Sequence, residues 1–141
     1  MIYKPNIALK SLILIGLFQS CCFSTKNISL GNGFKLSEYS YKETSIMYCF
    51  DNCCNSGYTV VPQTIVAYNF DKSWIIAKTD STYHNNQNDF AFWIFKKSIS
   101  SNAQNMYDSI KANLTGPLDS TSFFRILAEK NIRMELVDHR K

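Results

Sequence analysis

"TIVAYNFDKSWIIAKT", Thr64–Thr79, is the stretch on which the fold reading turns. Apolar and β-branched residues flank a polar centre, Asn69–Ser73. That pattern predicts two strands, from about 63 to 68 and from 73 to 79, joined as a hairpin. Further on, "FAFWIFKK", Phe90–Lys97, is nearly continuously apolar between polar neighbours. Such a run reads as a strand covered on both faces. Trp74, Phe92, Trp93 and Phe95 are accordingly expected in the core.

Toward the N-terminus, "FKLSEYSY" (34–41) alternates apolar and polar residues, and "ETSIMYCF" (43–50) is β-branched and aromatic. Both read as strands. "DNCCNSG" (51–57) is a loop by composition, and "GNG" (31–33) marks a turn. Pro62 cannot donate to a ladder, so it belongs at an edge, a bulge or a strand start. Toward the C-terminus the period changes. Ala103, Met106, Tyr107 and Ile110 share one helix face, and Gly116 and Pro117 stop that helix. Asp119 or Ser120 caps a second helix with Phe123, Phe124, Leu127 and Ala128 as its apolar stripe. "IRMELV" (132–137) reads as a last short strand. The sum is an α+β fold: an antiparallel sheet of about five strands with two C-terminal helices packed on one face.

The first residues describe a different function. Lys4 and Lys10 make a positive start, and no acidic residue precedes Glu38. The apolar core, Ser11–Phe18, is far shorter than the ~20 residues of a spanning helix. A charged tip, a short apolar segment and a small residue before the processing point describe an export signal. Phe18, Gln19, Ser20 and Cys21 resemble the end of the bacterial lipoprotein signal, in which an apolar, a variable and a small residue precede a cysteine. The resemblance implies cleavage before Cys21 and a lipid joined to its thiol. The expected organisation is a signal peptide at 1–20, a lipidated tether at 21–33, and one α+β domain at 34–141. Losing Lys4 and Lys10 from 15 basic residues leaves 13 against 11 acidic ones, a net charge of +2. The charges are interspersed, so nothing asks for nucleic acid.

The segment from "TIVAYNFDKSWIIAKT" through "FAFWIFKK" to "GPLDSTSFFRIL" is similar to small bacterial lipoproteins of uncharacterised function. The likeness spans Thr64 to about Leu127. It implies a similar fold and an export destination, and it carries no functional residues.

Beyond Cys21, the cysteines are Cys22, Cys49, Cys53 and Cys54. Export favours disulfides, and four thiols allow three pairings. Cys49 with Cys53 or with Cys54 is the expected local bridge. Neighbouring Cys53 and Cys54 are poorly placed to bond each other. Cys22, on the tether, is left unpaired or bonds outside the domain. A metal site would need a fourth ligand such as His84 or His139, and the spacing is not C-x-x-C. Both histidines stand among polar residues and read as solvated, as do the acids Glu38, Glu43, Asp80 and Asp89. No phosphate-binding glycine loop and no recognisable nucleophile setting occur. No metal, cofactor or catalytic residue is therefore assigned. "DST" at 80–82 loosely matches a bacterial O-glycosylation pattern.

Twenty aromatic residues, of which eight are Tyr, favour binding chemistry. Tyrosine offers a large contact area at low conformational cost. Tyr58 and Tyr83, beside loops, are the candidate contact residues. The expected function is a non-catalytic binding or interaction module. It is held in the bacterial envelope by membrane lipid through acylated Cys21, faces the periplasm, and engages an unknown envelope protein or ligand. An immunity or inhibitor lipoprotein is one version. The alternative is a small thiol/disulfide enzyme using Cys49, Cys53 and Cys54.

Overall fold

Alternation along the strands builds two antiparallel sheets in the computed structural model, which describes residues 26–40, 43–62, 64–80, 89–99 and 105–139. Strands β1 (Lys26–Gly31), β2 (Phe34–Ser40), β3 (Glu43–Cys49) and β4 (Gly57–Val61) form the first sheet in chain order. The second contains β5 (Thr64–Phe70), β6 (Trp74–Asp80), β7 (Phe90–Lys96), β8 (Leu114–Leu118) and β9 (Val137–Asp138) in the order β8-β7-β6-β5-β9. Helix α1 (Met106–Asn113) precedes β8, and α2 (Ser120–Glu129) follows it. The class is α+β.

Turn chemistry sets the two hairpins. Asn32 and Gly33 sit at φ 54° and 81° between β1 and β2, the left-handed pair that a tight two-residue hairpin turn requires. Between β5 and β6, the Asp71 carboxylate accepts from the backbone N–H groups of Ser73 and Trp74, each at 2.7 Å. Asp119 caps α2, its carboxylate accepting from Ser122 N at 2.9 Å.

The period of two explains why β6 and β7 are so apolar. Ile75, Ala77, Trp93 and Phe95 face the first sheet and pack with Leu30, Phe34, Leu36 and Ile46. Ile76, Phe92 and Ile94 face the other way and pack with Phe123, Leu127 and Ile132. The strand read as covered on both faces is so covered, by a sheet on one side and a helix on the other. Phe34 and Phe95 meet across the sheets with ring centroids 4.9 Å apart. Thr44 Oγ1 donates to Ile65 O at 2.9 Å, a second tie between the sheets.

Several expectations are corrected. The single five-stranded sheet is two sheets, because the N-terminal strands pair with one another and stack on the others. The helices do not share one face. Ile110 of α1 joins the core between the sheets, while Phe123 and Leu127 of α2 cover the opposite face of β6 and β7. Residues 26–31, read as tether, are strand β1, whose Ile28 and Leu30 alternate into the core. Strands β4 and β8 were hidden by Pro62 and by Gly116-Pro117. At Gly116 a side-chain Cβ would come within 2.6 Å of the Trp93 ring, so glycine admits this close edge strand. "IRMELV" contributes only Val137 to β9. Ala128 and Phe124 of the α2 stripe are exposed.

Candidate functional site

The loop between β3 and β4 is held by a cysteine bridge and a set of hydrogen bonds. Cys49 and Cys54 are bonded, and both lie buried against Met47. Inside the loop, Asp51 accepts from Cys53 N at 2.8 Å and Asn55 N at 3.1 Å on one oxygen. Its other oxygen takes Ser56 N at 3.1 Å and Ser56 Oγ at 3.0 Å. These donors, Asn55 N–H foremost, hold the Asp51 carboxyl below its ordinary pKa. Lys35 Nζ donates to Asn52 O at 2.5 Å, and Asn27 Nδ2 to Cys53 O at 3.0 Å. Gly57 allows the loop to close, since a Cβ there would fall 2.1 Å from Tyr48 O. Of the pairings left open by the sequence, Cys49 takes Cys54. Cys53 is disulfide-bonded as well.

This loop carries the central ring, Phe50, of an aromatic row. Phe34 and Tyr48 meet at 5.2 Å between centroids, Tyr48 and Phe50 at 5.9 Å, Phe50 and Tyr58 at 5.1 Å, and Tyr58 and Tyr107 at 5.4 Å. The row runs from the core to the surface. Phe34 is fully buried, Tyr48 and Tyr58 are half-buried, and Phe50 and Tyr107 are 54% and 44% exposed. Lys111 Nζ lies 4.4 Å from the Tyr107 ring centroid, a cation–π contact at the rim. Tyr58, one of the two tyrosines singled out by sequence, thus stands in the row between Phe50 and Tyr107. Tyr83 and His84 lie outside the described residues. Phe50 and Tyr107, the exposed rings of the row, were not singled out by sequence. The available signal was an aromatic residue directly before a polar cysteine loop, and one at the edge of a helical stripe.

A groove and a cluster of ion pairs lie elsewhere. A groove of about 490 Å³ on the helix-covered side of the second sheet is lined by Val66, Lys78, Phe90, Phe92, Phe124 and Leu136, among others. Lys78 Nζ sits 3.7 Å from the Phe90 ring centroid there. At the joint between the sheets, His139 Nε2 is 3.0 Å from Glu38 Oε1, and Lys26 Nζ is 3.8 Å from Glu38 Oε2. Glu38 and His139, read as solvated, are therefore paired, and the His139 side chain is only 13% exposed. Burial, and next the Glu38 charge, raise the Tyr68 hydroxyl pKa beside them.

Among the described residues no group of His, Cys, Asp and Glu is arranged to hold a metal ion. No helix among them is long and apolar enough to cross a membrane. Comparisons with protein families, with curated proteins and with solved structures find no match for this chain.

Proposed function

We propose that this chain is a lipid-anchored bacterial envelope protein that acts as a non-catalytic binding module. Its anchor is an acyl group on Cys21, its side is the periplasmic one, and its partner is an envelope protein. The observation that carries the binding reading is the aromatic row Phe50–Tyr58–Tyr107. It pairs exposed rings with a rigid, cross-linked support, the composition and pre-organisation of an interface hot spot. Lys111 at its rim favours a partner whose contact surface is acidic at the edge. Neutralisation of another protein, as in immunity lipoproteins, is the version of this function that such a rigid patch suits.

The thiol-exchange alternative has less support. A redox cysteine needs an accessible thiolate of lowered pKa, commonly at a helix N-terminus. Cys49 ends a strand, and its bond to Cys54 is buried.

The test is quantitative capture of the stoichiometric partner from native envelopes by the lipidated protein. Phe50→Ser and Tyr107→Ser are each expected to weaken capture by roughly 30-fold, the equivalent of about 2 kcal/mol. Phe124→Ser, in the separate groove, leaves it unchanged. Capture insensitive to both row variants overturns the reading. Cys21→Ser is expected to abolish fatty-acid labelling and release the protein from membranes; unchanged retention counts against the anchor.

A further inference from the structure

A line of registered residues crosses four strands of the second sheet. Asp138 of β9 faces Ala67 of β5, Ala67 faces Lys78 of β6, and Lys78 faces Phe92 of β7. Residues in register share a face of the sheet. Phe92 packs with Phe123 and Leu127 of α2, so the line lies on the helix-covered side. Ala67 has the smallest side chain of the line, which leaves a gap between Lys78 and Asp138. All three residues line the groove of about 490 Å³, and Phe90, Phe92, Phe124 and Leu136 give it apolar walls. We propose that this groove binds a free dipeptide with apolar side chains, its carboxylate on Lys78 and its ammonium on Asp138.

Charge selects the ligand class. Among the described residues, Lys78 and Asp138 are the charged members of the lining, one of each sign. A zwitterion complements both, and an apolar body complements the walls. The Lys78 ammonium stands 3.7 Å from the Phe90 ring centroid and 5.8 Å from that of Phe92. No ion pair among the described residues includes it. Ring faces therefore hold this cation in place without neutralising it, ready for an incoming carboxylate. Asp138 already interacts within the chain. A carboxylate has about four lone-pair sites, so a ligand ammonium adds to that interaction.

Spacing selects the length. Registered neighbours stand about 4.5–5.5 Å apart, which puts the Lys78 and Asp138 Cα atoms roughly 9–11 Å apart across Ala67. A charge-assisted hydrogen bond of about 2.8 Å at each end leaves roughly 4–6 Å for the ligand's own charges. A single amino acid carries both charges on one carbon and falls short. Two residues, at about 3.3 Å each, reach across, and a longer extended peptide overshoots. Phe124 and Phe90, 59% and 38% exposed, offer open ring surface to the two apolar side chains. The volume is in the range of small-ligand sites, about 300–1,000 Å³.

The experiment is isothermal titration calorimetry of the full mature protein with leucyl-phenylalanine, its N-acetyl form, its C-terminal amide, and decanoate. The free dipeptide is expected to bind one to one, and acetylation or amidation each to weaken binding about tenfold. In Lys78→Met the amide should bind as well as the free acid. In Asp138→Asn the acetylated form should bind as well as the free amine. Each variant thus erases one penalty and keeps the other, an outcome that general misfolding does not produce. Phe50→Ser, in the aromatic row, should bind the dipeptide like the parent. Loss of dipeptide binding in that variant would move the site to the row and overturn the groove. Absence of saturable dipeptide binding, or penalties that persist in both groove variants, also overturns it. Decanoate binding as tightly as the dipeptide and unchanged by Asp138→Asn would replace the zwitterion with a simple apolar acid. None of these results bears on capture of an envelope partner by the row, which its own variants test.

Discussion

Lys97 follows β7 and is only 7% exposed. Its ammonium donates to Leu30 O, and to Asp71 O at 2.5 Å, and lies 4.8 Å from the Phe70 ring centroid. Leu30 belongs to the first sheet and Asp71 to the β5–β6 turn of the second, so one side chain clasps two hairpins. The β1–β2 register shifts between Ser29 and Gly31, next to the carbonyl that Lys97 takes up. Burial lowers the Lys97 pKa, and the Asp71 charge partly opposes this. In Lys97→Met the stem is kept and the ammonium is lost. Two hydrogen bonds from a charged donor are worth about 1.5–3 kcal/mol each, and both carbonyls are left short of a partner. Relief of the ammonium's desolvation and added apolar burial offset part of that. The expected net loss is about 2–3 kcal/mol, a fall in Tm of roughly 8–15 °C for a domain of this size. Urea and thermal unfolding followed by circular dichroism measure it. Lys96→Met, an exposed neighbour, serves as the control and should change stability by no more than about 0.5 kcal/mol. If Lys97→Met matches that control or proves more stable than the parent, the clasp argument is refuted, and the buried charge costs more than its bonds return.

Other predictions follow from the loop between β3 and β4. Replacing Cys49 and Cys54 together by Ala opens a small ring, the two being five residues apart in sequence; chain entropy for so short a loop corresponds to about 2 kcal/mol. Urea midpoints of oxidised parent and double variant should differ by that amount, and equal midpoints would show the bond to be energetically idle. Acid should loosen the same loop. The folded Asp51 pKa is lowered from 3.8, so its contribution is complete above the unfolded value and is lost as pH falls through the folded one. Melting curves between about pH 2 and pH 5 should therefore fall more steeply for the parent than for Asp51→Asn, and parallel curves would contradict the hydrogen-bonded arrangement.

Elements whose signal is local were legible in the sequence. The β5–β6 hairpin, the apolar β7, the 31–33 turn, the loop at 51–57 and the Asp119 cap each follow from residues within one turn or strand. Strand β1 was concealed. Its alternation is short, with only Ile28 and Leu30 to carry it, and small polar residues surround it. Strand β8 was concealed because Gly116 and Pro117 ordinarily end structure. Here glycine is required by the proximity of Trp93, a neighbour distant in sequence.

Composition, periodicity and turn chemistry were enough for the α+β class, for a cysteine bridge near Cys49, and for the expectation of an export signal over residues 1–20. They were not enough for the architecture. A strand that is apolar on both faces demands two covers without saying what they are. Only the folded chain assigned a second sheet to one face of β7 and α2 to the other. The same limit governs the aromatic row. Phe50, Tyr58 and Tyr107 come from a loop, a strand and a helix, and each alone looks like an ordinary core or surface aromatic. Tertiary packing decides which rings meet and which edges stay open to solvent, because exposure depends on all of a residue's neighbours and sequence reports only the near ones.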